Sequence, residues 1–127
     1  MSIRGIRGAT TISQDTTEAI LDGTRELLGK ILYENPSLKK EDLASAFFTV
    51  TDDLNAIYPA KAARQMGWEL VPLMCAREIP VPDGIQFCIR VLLHWNTTLS
   101  QREVKHVYLH AAARLRPDLG NIESSEE

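Results

Sequence analysis

The sequence predicts an α+β fold in which helices pack on a β-sheet, and three stretches carry that expectation. Residues 85–95 set Ile85, Phe87, Ile89, Val91, Leu93 and Trp95 at alternate positions, with Gln86, Cys88, Arg90 and His94 between them. That is the period of a strand with one face in a core. Residues 43–51 read as a strand through Phe47, Phe48, Thr49 and Val50, apolar on both faces. Such a strand is covered twice, here by a helix on one side and by another layer or subunit on the other. Ile20, Leu27, Leu28, Ile31 and Leu32, with Thr24 filling the gap, recur at helical spacing and make one amphipathic stripe.

Composition bounds the rest. The chain has 127 residues, 44% apolar and 24% charged, enough for one core and one domain over residues 1–127, with a mobile tail from about 116 to 127. A net charge of −3 without a basic block argues against nucleic acid as a partner. No apolar run reaches membrane-spanning length, and Met1-Ser2-Ile3-Arg4-Gly5 lacks the apolar core of a signal peptide, so a cytoplasmic location is expected. Cys75 and Cys88 are expected as reduced thiols.

In chain order, residues 3–12 mix β-branched side chains with Gly5 and Gly8, as in a strand that a ligand or another chain approaches closely. Arg4 and Arg7 are an odd number apart and face opposite ways, so at most one shares a pocket with Arg90. Asp15 is placed to cap the helix that follows, with Glu18 completing a capping box, and Asn35-Pro36 ends it. Gly23 and Gly29 each cost that helix about 1 kcal/mol relative to alanine. Residues 37–42 form a charged connector with a helical turn. After turn chemistry at 51–55, residues 57–67 predict a two-turn helix with Pro59 in its first turn and Gly67 at its end. Lys61 and Arg64 share one of its faces. Residues 68–75 predict a third strand, whose Pro72 marks an edge or bulge. A proline-rich connection over 76–84 leads into the Arg90 strand. A turn at 100–103, a last strand at 104–109 and a helical turn within 111–119 complete the chain.

The chemistry converges on arginine. Arg90 keeps its charge at any ordinary pH and is costly to desolvate alone, so mid-strand it needs an anion, either a structural carboxylate or a ligand. No nucleophile elbow, phosphate loop or metal-spaced histidine set appears; His94, His106 and His110 lack supporting ligands, so no metal or other cofactor is called for. Cys75 shows neither a base nor a helix amino terminus to activate it. A set of arginines with one carboxylate, one tyrosine and one thiol suits holding a polyanion and is poor at covalent or acid-base chemistry.

Several segments in joint order give a resemblance. They are Ile3-Arg4-Gly5-Ile6-Arg7-Gly8-Ala9-Thr10-Thr11, Pro59-Ala60-Lys61-Ala62, Gly67-Trp68, Val71-Pro72, Cys75 with Glu78, Cys88-Ile89-Arg90-Val91, His106-Val107-Tyr108-Leu109 and Leu115-Arg116-Pro117-Asp118-Leu119. Together, from 3 to about 119, they resemble the monofunctional chorismate mutases of the AroH class, the Bacillus-type trimeric enzymes. Two departures stand out: Tyr58 where the family commonly has phenylalanine, and Met74 where a smaller polar residue is frequent.

The resemblance implies a mixed β-sheet packed with helices in a trimeric pseudo-barrel with active sites between subunits, and a cofactor-free pericyclic [3,3] rearrangement of chorismate to prephenate in phenylalanine and tyrosine biosynthesis. By similarity Arg90 would meet the ether oxygen and a carboxylate, Arg7 and Tyr108 a carboxylate, and Glu78 and Cys75 the ring hydroxyl. Tyr58, Ala60 and Leu73 would wall the ring, with Met74 beside them. Lys61 and Arg64 would add positive field, and Leu115 with Arg116 would close the site. Two other readings stay open: a non-catalytic trimeric sensor of small dicarboxylates, and an imine deaminase-like trimer.

Overall fold

In the computed structural model, which describes residues 1–115, the elements in order are β1 (Ser2–Thr11), α1 (Thr17–Glu34), β2 (Leu43–Val50), α2 (Ala60–Gln65), β3 (Leu73–Arg77), β4 (Cys88–Thr97) and β5 (Val107–Tyr108). Short 3-10 turns lie at Lys40–Asp42, Gln101–Glu103 and His110–Arg114. The sheet order is β3-β2-β4-β1-β5. Strand β4 runs antiparallel to both β1 and β2, while β3 lies parallel to β2 and β5 parallel to β1. The mixed sheet expected from the sequence is thus present. The expected mobile tail and Arg116 lie outside the described residues.

One face of the sheet packs on α1. Ile89, Val91, Leu93 and Trp95 of β4 are all buried, as their alternation predicts, and Leu27, Leu28 and Ile31 of α1 meet Ile6, Phe48, Val91, Leu93 and Val107 in the main core. Fully burying each such side chain contributes roughly 1.5–3 kcal/mol, far more than helix propensity can. Gly8 shows how close the layers lie. A Cβ there would stand 2.9 Å from Ile31 Cδ1 and 3.2 Å from Val91 Cγ1, so α1 itself makes the close approach expected of a ligand or second chain.

The other face carries Arg7, Phe47, Met74, Arg90 and Leu92, with Phe47 40%, Leu92 38% and Met74 62% exposed. Within this chain β2 is therefore covered on its helix side alone.

The N-cap of α1 is Thr16, not Asp15. Thr16 has φ −133° and its Oγ1 accepts from the Ala19 amide at 3.1 Å. Asp15 is drawn away because its Oδ1 accepts the Asn55 and Ala56 amides, at 2.8 and 2.9 Å. At the other end, buried Asn35 donates to Ile31 O and Lys105 O and accepts from the Lys105 amide, tying α1 to the start of β5.

Three strand boundaries also differ from expectation. The third strand begins after Pro72 instead of containing it. Trp68 leaves the sheet to bury itself in the core, and the Pro72 carbonyl accepts the Ala46 amide at 2.9 Å. Strand β4 starts at Cys88 because Phe87 has φ 51°, which no strand can continue. The last strand shortens to Val107–Tyr108, bounded by the turn after Gln101 and by His110 at φ 55°. Helix α2 ends as predicted, with Gly67 at φ 91°.

Candidate active site

The register of the sheet gathers four of the singled-out side chains. Ala9 of β1 pairs with Arg90 on one side and Tyr108 on the other, and Arg7, two residues back on the same face, pairs with Leu92. The two arginine backbones are therefore about 7 Å apart along the sheet. Arg4 faces away, its Nε donating to the Leu99 carbonyl at 2.9 Å. Glu78 follows β3 by one residue. Its amide donates to Val50 O at 2.9 Å, and its carboxylate folds back over β2 toward Arg90.

Arg7, Glu78, Arg90 and Tyr108 line one cleft of about 440 Å³, with Phe47, Thr49 and Leu92 as further walls. Glu78 Oε2 lies 3.5 Å from Arg90 Nε, and the Nε atom is buried with no hydrogen-bond partner among the described residues. Thr49 Oγ1 donates to the same Glu78 oxygen. The Arg7 amide donates to His106 Nδ1 at 2.9 Å, which leaves the imidazole proton on Nε2 and ties the Arg7 backbone to the approach of β5. Leu115 packs against the cluster of Ala9, Cys88, Tyr108 and Ala112 at one end of the cleft.

A second group lies apart. Tyr58 and Cys75 line a different groove, of about 470 Å³, with Asn55, Pro59 and Arg77. Burial pushes the Cys75 thiol up from its ordinary range, against a smaller downward pull from the Ala60 amide and the Arg64 guanidinium. Ala60 and Arg64 therefore neighbour this groove. Lys61 is exposed on α2, Leu73 packs against the core, and Met74 stands opposite Phe47 in the sheet. Of the thirteen positions singled out, Arg116 is not described; the rest divide between the arginine cleft with its Leu115 end and the β3–α2 side.

Sequence reasoning missed Thr49 and Arg77. Thr49 pairs directly with Arg90, a cross-strand relation that no local pattern encodes. Arg77 donates to Thr51 O, Leu54 O and Asn55 Oδ1 at 2.9–3.0 Å and so fixes the loop that leads to Tyr58.

Chemically, the cleft offers two fixed cations, one carboxylate and one phenol. Neither cysteine is activated: burial drives Cys88 up to about 11, with Arg90 only partly opposing it. The arrangement suits holding an organic anion by charge and shape, and it offers neither an activated nucleophile nor an acid-base pair.

The sequence profile of the chorismate mutase type I family matches residues 3–119. The chain is 56% identical over 117 residues to the chorismate mutase AroH of Thermus thermophilus, covering 92% of this chain and 96% of that protein. It is 46% identical over 127 residues to the chorismate mutase AroH of Bacillus subtilis strain 168, covering 99% of each. A solved chorismate mutase from Clostridium thermocellum superposes with TM-score 0.82 at 47% identity, covering 85% of this chain and 96% of that one. This chain belongs to the type I chorismate mutase family, in its AroH class.

Proposed function

We infer that this protein is a chorismate mutase, an isomerase that converts chorismate to prephenate on the route to phenylalanine and tyrosine. The observation that carries the reading is the cleft in which Arg7, Arg90, Glu78 and Tyr108 converge while neither cysteine is activated. The reaction breaks a C–O ether bond and forms a C–C bond in one pericyclic step. It needs no proton transfer and no covalent intermediate, so catalysis reduces to holding the compact conformer and stabilising charge as it develops. Arg90 meets the ether oxygen as it gains negative charge, and its buried Nε–H is a donor with no acceptor among the described residues. Arg7 and Tyr108 take a carboxylate, and Glu78 takes the ring hydroxyl with Cys75. A fixed cation in a water-poor cleft supplies several kcal/mol of the barrier reduction.

The protein works as a homotrimer with the substrate between subunits, in the cytoplasm. Two observations support the assembly. The arginine cleft and the Tyr58–Cys75 groove are separate in one chain, as they would be if each site is completed by a neighbouring subunit. The open sheet face also exposes Phe47, Leu92 and Met74 together, and apolar surface of that kind favours burial against another copy. In the assembled site Tyr58, Ala60 and Leu73 wall the ring, Met74 adjoins them, Lys61 and Arg64 add positive field, and Leu115 closes one end. No helix among the described residues is long and apolar enough to cross a membrane.

The test is to mix purified protein with chorismate, follow loss of the diene absorbance and identify the product by chromatography. Prephenate formed at a protein-dependent rate that collapses in Arg90→Ala is the expected result. Persistence of chorismate alongside saturable binding would replace the enzyme by a sensor of small dicarboxylates.

A further inference from the structure

We propose that Thr49 is a positioning residue that holds the Glu78 carboxylate off Arg90, keeping the guanidinium available to the substrate; this rests on the reading of the arginine cleft as the mutase site. The argument begins with the backbone. Register fixes Thr49 directly beside Arg90, on the face of the sheet that lines the cleft. The Glu78 amide is fixed to Val50 O, the next residue along β2, so its side chain has only a short arc in which to lie.

Within that arc, an arginine and a carboxylate left to themselves close to about 2.8 Å and prefer two parallel bonds. Here Glu78 Oε2 stops 3.5 Å from Arg90 Nε, and the Nε–H, although buried, makes no hydrogen bond among the described residues. The atom that stops short is the one Thr49 Oγ1 donates to. The hydroxyl therefore occupies a lone pair that the guanidinium would otherwise take. Charge attraction keeps Glu78 near enough to orient Arg90, while the donated bond keeps it from neutralising Arg90. The same bond leaves the second carboxylate oxygen for a ligand hydroxyl. Valine matches threonine in shape and lacks only the donor, so it isolates this effect.

The experiment is a double-mutant cycle in steady-state turnover of chorismate, with folding of each variant checked by circular dichroism. Thr49→Val should lower kcat by about tenfold or more, the size expected when a catalytic group is displaced by a fraction of an ångström, with KM rising less. Thr49→Ser, which keeps the donor, should recover to within about threefold of wild type. In a Glu78→Gln background the neutral amide has no charge drawing it onto Arg90, so adding Thr49→Val should cost less than about twofold. Thr49→Ala carries the same comparison should the valine variant not fold. The proposal is overturned if Thr49→Val turns over like wild type, if serine fails to rescue, or if the Thr49→Val loss persists undiminished beside Gln at 78. Retention of the wild-type rate in Arg90→Ala would instead remove the site reading itself, so the two failures are distinct.

Discussion

Asp53 holds the Phe87 amide with both carboxylate oxygens, at 3.1 and 3.0 Å, while Phe87 sits at φ 51°. A bulky residue in that region costs on the order of 1–3 kcal/mol, so the surrounding structure must impose it. Thr51 completes the clamp: its Oγ1 donates to Asp53 Oδ1 at 2.6 Å and accepts from the Cys88 amide at 3.0 Å. The turn after β2 thus sets where β4 begins, two residues before Arg90.

Asp53→Ala should therefore destabilise the fold by roughly 2 kcal/mol, the loss of hydrogen bonds to a charged acceptor, and should lower turnover as well. Urea denaturation and chorismate kinetics measure the two effects, with exposed Asp52→Ala as the control. Equal behaviour of the two variants would show that the clamp does not set the strand.

The glycines of α1 should respond in opposite directions to alanine. A Cβ on Gly23 would stand 2.5 Å from Ile12 Cγ2, whereas Gly29 has nothing within 4 Å. Gly29→Ala should stabilise by roughly 0.5–1 kcal/mol through backbone entropy, while overpacking at Gly23→Ala should cost about 1–3 kcal/mol. Thermal unfolding of both variants decides it.

Lysine cannot replace Arg90. It keeps the charge but loses the planar, rigid fork of donors that would meet the ether oxygen and a substrate carboxylate in one fixed geometry. Arg90→Lys should lower kcat by about 10³-fold while substrate binding, read by calorimetry or product inhibition, weakens much less.

Cys88 makes stability fall in alkali. Burial raises its folded pKa to about 11 from an ordinary 9.0, so the neutral thiol's full contribution is present below pH 9. It is lost as pH rises from 9 through 11, by on the order of 2 kcal/mol, because the unfolded chain releases the proton first. The stability difference between wild type and Cys88→Ala, measured in urea at pH 8 and pH 10.5, should shrink at the higher pH. A constant difference would mean the thiol is not so perturbed.

What the sequence alone determined was local in origin. Alternation placed Ile89, Val91, Leu93 and Trp95 in the core and Arg90 on the other face, and parity separated Arg4 from Arg7. Helical spacing found α1, and the joint order of short motifs pointed to the family. These signals are legible because each is a repeat or spacing along the chain itself.

Tertiary structure decided what depends on distant neighbours. Asp15 has the chemistry of a cap but bonds to the 55–56 amides, so Thr16 caps instead. The side-chain space that Gly8 leaves is filled by Ile31, while its backbone lines the arginine cleft. The question left open at Arg90, structural carboxylate or ligand, receives a compound answer: Glu78 lies close enough to attract the guanidinium, yet the buried Nε–H remains without an acceptor. That geometry arises because β2 lies between β3 and β4, bringing residue 78 across to residue 90 beside Thr49. Side-chain periodicity fixes which face a residue occupies; only strand pairing, a long-range choice with no local period, fixes what stands next to it.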